Sequence, residues 1–169
     1  MRSLMYWIAA ELPGRLAIVP RPRGGDWLPD DLAGLKAAGV DVLVSMLEAA
    51  EAVDLGLADE GRRCAEAGIE FVSVPVPDRG VPEHGHEFRA VAGRLLTQVV
   101  AGRTVGIHCR AGIGRSSLLV AAILILAGCR SDDAWYRIEG ARGVPVPDTK
   151  EQQRWIGDLR HDRRRLPTG

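Results

Sequence analysis

The feature that most constrains this chain of 169 residues is a polar, glycine-containing segment between a short apolar strand and a long apolar helix. Residues 104–108 predict a buried strand, and residues 116–127 are apolar on every side, which is typical of a helix at the centre of a domain. Between them, Gly112 and Gly114 allow the backbone to turn tightly. A helix that begins after such a loop directs unpaired N–H groups and a partial positive charge at it. The sequence therefore predicts an oxyanion site at this point.

Strand-like and helix-like segments alternate along the rest of the chain. Two apolar runs separated by Pro13 and Gly14 predict a hairpin, and two further runs rich in Val and Ile predict strands at 40–45 and 69–74. This alternation predicts one α/β domain over residues 1–160, with a central, mostly parallel sheet of about five strands flanked by helices. An Arg-rich tail follows at 161–169. The remaining helices are predicted at 29–38, 57–67, 88–99, 131–140 (with Ser131 as its cap) and 149–159.

Composition narrows the class of protein. The 22 basic and 22 acidic residues cancel, whereas a nucleic-acid-binding protein usually has a basic surplus, so we expect no nucleic-acid partner. Three cysteines are too few for a disulfide framework and fit a reducing compartment. The longest apolar run, residues 118–127, is about half of the roughly twenty residues that a membrane-spanning helix needs. We therefore expect a cytoplasmic protein without a membrane span.

The charge is unevenly distributed even though it sums to zero. Residues 1–87 contain 15 acidic and 8 basic residues, whereas residues 88–131 contain six Arg and no Asp or Glu. The second stretch includes the predicted oxyanion loop. A carboxylate there would repel a bound dianion, so the distribution favours one local anion site.

Cys109 and Arg115 bracket this loop. The backbone N–H groups between them can surround a tetrahedral dianion, and the planar guanidinium of Arg115 can hold two of its oxygens. Cys109 lies at the mouth of this positive cradle, where a helix N-terminus and cationic neighbours favour the thiolate form. The features that bind the anion therefore also prepare a nucleophile. The residues predicted to contact the anion are Arg110, Ala111, Gly112, Ile113, Gly114 and Arg115.

The segment from His108 to Ser116 completes the pattern His-Cys-x-x-Gly-x-x-Arg-Ser/Thr. It resembles the signature of the cysteine-dependent protein tyrosine phosphatases, in the strand–loop–helix context that this family requires. The resemblance implies that Cys109 is the nucleophile, that Arg115 stabilises the transition state, and that the hydroxyl of Ser116 stabilises the departing thiolate. It further implies that His108 orients the backbone of Cys109, and that no metal or organic cofactor takes part.

A second segment supplies a candidate general acid. Asp78 lies in a loop rich in proline, residues 75–82, which resembles the acid loop of small dual-specificity-like phosphatases. One helix and one strand separate Asp78 from Cys109, so both are expected at the same edge of the sheet. Glu83 and Glu87 are the alternative acids.

The third segment lies near the start of the last predicted helix. Gln152 stands where many relatives have the second Gln of Gln-Thr-x-x-Gln, a loop that helps to place the hydrolytic water, and Asp148 replaces the first. The alternative is that Gln152 is a plain surface residue. His84 and His86 have no accompanying zinc-type ligand set and are expected to be exposed.

The order and size of the chain favour the compact dual-specificity-like group, because Cys109 follows the acid and no tyrosine-recognition segment is present. We expect a hydrolase that cleaves phosphomonoesters, chiefly protein phosphotyrosine and also phosphoserine or phosphothreonine, through a phosphocysteine intermediate. The alternatives are a phosphoinositide or small-molecule phosphatase and a non-catalytic phosphotyrosine-binding module. Thiol redox chemistry would require Cys64 or Cys129 near Cys109, and both are expected to be inert packing residues.

Overall fold

The structure is a computed structural model that describes residues 4–162, with side chains described through residue 159. The predicted Arg-rich tail lies outside the described residues, except that residues 161 and 162 end the last helix. Within the described part of the chain, the prediction of an α/β fold built on five strands is confirmed.

A five-stranded sheet forms the centre of the molecule. Its strands are β1 (Tyr6–Trp7), β2 (Arg15–Ile18), β3 (Val42–Ser45), β4 (Glu70–Ser73) and β5 (Thr104–His108). The strand order is β1-β2-β5-β3-β4. The two strands of the predicted hairpin are antiparallel, and all other pairs are parallel. The central strand β5 pairs Ile107 with Ile18 on one side and with Val44 on the other.

Helices cover both faces of the sheet. They are α1 (Leu28–Ala37), α2 (Ala49–Asp54), α3 (Glu60–Glu66), α4 (Gly85–Val100), α5 (Arg115–Leu126), α6 (Ser131–Arg142) and α7 (Lys150–Asp162), with a 3₁₀ turn at Gly25–Trp27. The larger core contains side chains of α4, α5, α6 and α7, and the smaller core on the other face contains those of α1 and α3. Successive residues of β3 alternate between the two, because Val42 and Val44 join the larger core and Leu43 the smaller one.

Several predicted helix ends differ from the structure; α4, for example, begins at Gly85 and not at residue 88. The expected helix at 57–67 begins only at Glu60, and a separate helix, α2, precedes it. A capping box in which Glu48 and Glu51 exchange backbone and side-chain hydrogen bonds stabilises the start of α2. The N-cap of α6 is Arg130, not Ser131.

The parallel strands end at one edge of the sheet, and this positions the site. The N–H of Met46 donates to the carbonyl of His108 at 3.0 Å, and the N–H of Val74 donates to Ser45 at 2.8 Å. The loops that follow β3, β4 and β5 therefore leave the sheet side by side. Among the described residues, no helix has both the length and the apolar character needed to cross a membrane.

Candidate active site

The loop between β5 and α5 folds as a cradle around the thiol of Cys109. Gly112 has a φ of +69°, a conformation that glycine adopts without strain. Its N–H donates to the sulfur of Cys109 at 3.1 Å. The thiol is buried at the base of the loop. At least one backbone amide therefore points to where a bound oxyanion would meet the nucleophile.

Arg142, in the last turn of α6, holds the outer side of this loop. Its Nε donates to the carbonyl of Gly112 at 2.7 Å, and its Nη2 to that of Ala111 at 3.4 Å. The guanidinium carbon lies 4.0 Å from the ring centroid of Tyr6. In a trans peptide the C=O and N–H groups point in opposite directions. Because Arg142 holds the carbonyls of Ala111 and Gly112 on the outer side of the loop, the N–H groups of the same peptides face inward. Sequence reasoning missed Arg142, because a basic residue near a helix end carries no motif.

Arg115 is the first residue of α5 and its side chain is almost fully buried. Its Nη1 and Nη2 donate to the two carboxylate oxygens of Glu51 at 2.7 and 3.0 Å. Nη1 also donates to the carbonyl of Val76 at 3.0 Å, and Nη2 donates to Oδ1 of Asp78 at 3.1 Å. One guanidinium thus joins the loops that follow β3, β4 and β5.

Glu51 is the main counter-charge of Arg115. The hydrogen bond from Arg115 lowers the pKa of Glu51, and its burial opposes this effect only in part. Burial would lower the pKa of Arg115, but the hydrogen bond from Glu51 and the charges of Cys109, Glu51 and Asp78 outweigh it, so that this pKa is raised. Both groups are therefore charged at neutral pH. Sequence reasoning missed Glu51, because the pair Glu48 and Glu51 lacks the Ser or Thr that begins a typical capping-box signature.

Asp78 lies at the cradle, as its contact with Arg115 shows, and its side chain is 52% exposed. A tight turn follows it, with the N–H of Gly80 donating to the carbonyl of Pro77 at 2.8 Å. The alternative acids, Glu83 and Glu87, instead line a cavity of about 280 Å³ on the α4 side of the acid loop.

Gln152 is buried, so the interpretation of it as a plain surface residue is wrong. Its amide nitrogen donates to the carbonyl of Gly80 at 2.9 Å, and its amide oxygen accepts the N–H of Asp148 at 3.1 Å. Asp148 and Gln152 also leave no room for a Cβ on Gly114. The start of α7 thus contacts both the acid loop and the phosphate loop.

The other predicted residues occupy distinct places. The ring of His108 lies 2.7 Å from the carboxylate of Glu60 and 3.4 Å from the carbonyl of Cys109. The hydroxyl of Ser116 is buried and has no hydrogen-bond partner among the described residues, so its role toward Cys109 remains a prediction. Arg110 is exposed, with Nη1 at 3.9 Å from Glu51.

The three cysteines are free and lie apart. Cys64 is in the smaller core, whereas Cys109 is in the larger one. Burial, together with the nearby charge of Glu60, raises the pKa of Cys64 to about 12. Cys129 follows the far end of α5, whose 12 residues span about 18 Å. His84 and His86 are exposed, as expected.

Sheet order, cradle and acid loop together define a cysteine-based phosphatase of the compact α/β type. Residues 34–160 match the family model for the dual specificity phosphatase catalytic domain. The chain therefore belongs to the dual specificity phosphatases and is a phosphatase enzyme. No curated protein matches the sequence.

Solved structures support the fold. Kinase associated phosphatase (KAP), carrying serine at its catalytic-site cysteine, is 18% identical over 99% of both chains, with a TM-score of 0.89. Tk-PTP in its active form is 24% identical over 95% of this chain and 99% of that chain, with a TM-score of 0.77. PTPMT1 in complex with PI(5)P is 20% identical over 92% and 96%, with a TM-score of 0.72.

Proposed function

We propose that this phosphatase hydrolyses phosphotyrosine in proteins, and also phosphoserine and phosphothreonine, through a phosphocysteine intermediate. The observation that carries the proposal is the position of Arg115. Its guanidinium contacts the carboxylate of Asp78. Arg115 is also the first residue of α5, and in the loop before this helix the N–H of Gly112 donates to the sulfur of Cys109. Nucleophile, anion-binding group and proton donor thus share one edge of the sheet.

In the first step, the thiolate of Cys109 attacks phosphorus in line with the ester oxygen. The S–P bond forms as the P–O bond to the substrate breaks. The loop amides and Arg115 stabilise the negative charge on the equatorial oxygens. Asp78, in its protonated form, gives its proton to the leaving oxygen. When the substrate binds, a phosphate oxygen replaces Asp78 as the acceptor of the hydrogen bond from Nη2 of Arg115.

In the second step, a water molecule attacks the phosphorus of phosphocysteine. Asp78, now ionised, accepts a proton from that water as the new P–O bond forms. The S–P bond breaks, and its electron pair returns to Cys109 as a thiolate that the hydroxyl of Ser116 stabilises. Gln152 contributes by holding the acid loop through Gly80. The net reaction consumes one water and releases inorganic phosphate.

Two features support a phosphoprotein substrate. Ile113 places an apolar side chain in the loop, where the inositide phosphatases of the superfamily that the chain resembles often have Lys, so the chain departs from them here. The similar KAP structure is named as a kinase-associated phosphatase. The free state of all three cysteines fits a reducing compartment, and we place the protein in the cytoplasm.

A phosphoinositide is the second candidate substrate. Arg110 is half exposed at the mouth of the cradle and lies 3.9 Å from Glu51, so that it is available to a further phosphate group. The similar PTPMT1 structure contains PI(5)P. A non-catalytic binding role is disfavoured, since Cys109, Arg115 and Asp78 are all present.

The chemistry is tested by phosphate release from an aryl phosphate. Cys109→Ser should abolish release, whereas the matched variant Cys129→Ser should keep it. Asp78→Ala should lower kcat by about 10²–10⁴-fold. In the unsubstituted protein the rate should decline at higher pH as the general acid loses its proton, and the variant should lack this decline. Activity retained by Cys109→Ser would refute the nucleophile. A normal pH profile for Asp78→Ala, with a changed one for Glu83→Ala or Glu87→Ala, would reassign the acid.

The substrate class is tested by comparing kcat/KM for a phosphotyrosine peptide, a phosphoserine peptide and PI(5)P in vesicles. We expect the phosphotyrosine peptide to be hydrolysed fastest. Arg110→Ala should change kcat/KM for this peptide by less than about threefold, because the charge of Arg110 is exposed to solvent. Faster hydrolysis of PI(5)P, together with a loss of that activity in Arg110→Ala, would favour the second candidate.

A further inference from the structure

A buried ion-pair partner of His108 has no part in the mechanism above. The carboxylate of Glu60, the first residue of α3, lies 2.7 Å from Nε2 of His108, the last residue of β5. The two side chains are 2% and 0% exposed. Among the described residues, His108 is the only side chain that hydrogen-bonds this carboxylate. A carboxylate removed from water in this way needs a partner that compensates its charge.

The other ring nitrogen of His108 faces the nucleophile's own peptide. Its Nδ1 lies 3.4 Å from the carbonyl oxygen of Cys109. An ionised carboxylate only accepts hydrogen bonds, so Nε2 must carry a proton to satisfy Glu60. Nδ1 can donate to the carbonyl of Cys109 only if it also carries a proton. While Glu60 is ionised, both contacts are satisfied together only by the doubly protonated, positively charged ring.

We infer that Glu60 is a positioning residue for the nucleophile: its carboxylate keeps His108 doubly protonated, and His108 thereby holds the backbone of Cys109 so that the loop favours the thiolate. This inference deepens the proposed function and rests on it for the role of Cys109. The carbonyl of Cys109 belongs to the first peptide of the cradle. Gly112, whose N–H donates to the sulfur of Cys109, follows three residues later.

Few other groups compete with Glu60 for His108. In the neighbouring strand, Ser45 pairs with His108 in register, and its hydroxyl accepts the N–H of Leu47 at 3.4 Å. From α3, Cys64 also lies near Glu60, but its raised pKa, about 12, keeps that thiol neutral. On the loop side, the charges near Cys109 are those of Arg115 and Arg110, which Glu51 and Asp78 face. The charge that faces His108 is therefore that of Glu60.

Glu60→Gln removes the negative charge of the side chain and keeps its size and its hydrogen-bond acceptor. The amide oxygen of Gln can still accept from Nε2, but a neutral amide does not stabilise a second proton on the ring. Nδ1 would then turn a lone pair toward the carbonyl oxygen of Cys109, and the two would repel each other. The loop should hold the thiolate less well, so that Cys109 should react roughly tenfold more slowly with an alkylating reagent at low pH, the lower end of the effect of losing a nearby charge.

The test measures the rate of Cys109 alkylation by iodoacetamide against pH, in a Cys129→Ser background so that the partly exposed thiol of Cys129 does not react. Glu60→Gln should react about tenfold more slowly at low pH and at the same rate at high pH. Glu60→Asp, which keeps the carboxylate, should recover part of the loss. Glu66→Gln, an exposed position on the same helix, is the matched control and should follow the unsubstituted protein.

Two outcomes would overturn the inference: a Glu60→Gln profile that coincides with that of Glu66→Gln, or an equal loss at every pH, which indicates altered access rather than a weaker thiolate. If Glu60→Gln does not fold, ¹⁵N NMR of histidine-labelled, unsubstituted protein decides instead. Protons on both nitrogens of His108 at neutral pH support the inference, and a single proton overturns it. Neither readout uses a phosphate ester, so a failure here is distinguishable from a failure of the proposed activity.

Discussion

At the scale of single residues, Arg115 depends on Glu51 for its geometry. Both oxygens of Glu51 accept from the guanidinium, so the plane of the fork is set before any substrate arrives. Lysine presents a single charged point and cannot reproduce this paired contact. Glu51 thus keeps a buried cation in the orientation that a dianion requires, and the pair contributes to stability as well as to chemistry.

Glu51→Gln should make the free energy of unfolding depend less on pH in the acidic range. Arg115 lowers the folded-state pKa of Glu51 below its usual 4.5, so the stabilisation is complete above that value and is lost as pH falls through the folded pKa. At pH 7 the variant should be less stable by about 1–3 kcal/mol, the cost of leaving a buried donor unpaired. Urea unfolding at pH 7 and at pH 3–4 measures the difference. A difference between the two proteins that does not shrink in acid would contradict this account, and Glu83→Gln is the control.

At the scale of elements, the site depends on where α7 begins. Gln152 of α7 ties the acid loop through Gly80, and the same end of the helix packs against Gly114 of the phosphate loop. An element that contacts both loops can keep the acid and the nucleophile in register. This arrangement differs from the predicted role of Gln152 in placing water, and the two can be separated by kinetics.

Gln152→Ala should slow both chemical steps, because it releases the loop that carries Asp78. We expect kcat to fall about tenfold, which corresponds to about 1.4 kcal/mol of lost transition-state stabilisation. Rapid-quench measurement should show no burst of phosphocysteine. A burst would mean that only the hydrolytic step is slowed, as expected if Gln152 places the water. Gln153→Ala, an exposed neighbour on the same helix, should leave kcat unchanged.

The elements that were predicted correctly are those with a strong local pattern. The amphipathic spacing behind α4 and the apolar run behind α5 are properties of contiguous sequence. The helix α2 has six residues and carries no periodic pattern, so the sequence did not reveal it.

The same contrast holds within the site. Cys109 and Arg115 stand in a fixed motif. Glu51, Glu60 and Arg142 contact the site residues across separations of 64, 48 and 30 positions along the chain. Only the sheet topology brings such residues together, and no spacing in the sequence encodes it.

At the scale of the whole molecule, a chain with no net charge still has one loop that carries Arg110 and Arg115 and no carboxylate of its own. Carboxylates of residues 1–87 approach it, since Glu51 and Asp78 contact Arg115 and Glu60 contacts His108. A protein with no net charge and one anion-binding loop should bind oxyanions in that loop and not through the electrostatic field of its whole surface.

Inorganic phosphate should therefore stabilise the whole fold in a saturable manner. An anion that binds only the folded state adds about 2.7 kcal/mol at a concentration one hundred times its Kd, which corresponds to a rise in Tm of roughly 5–10 °C for a domain of this size. Thermal unfolding with phosphate, against chloride at equal ionic strength, measures this rise. Cys109→Ser should keep it, since the cradle is intact. Arg115→Lys should lose most of it, while Arg154→Ala, an exposed position on α7, should behave as the unsubstituted protein does. An equal rise in chloride, or in Arg115→Lys, would show that phosphate acts on the surface at large and not in the loop that begins α5.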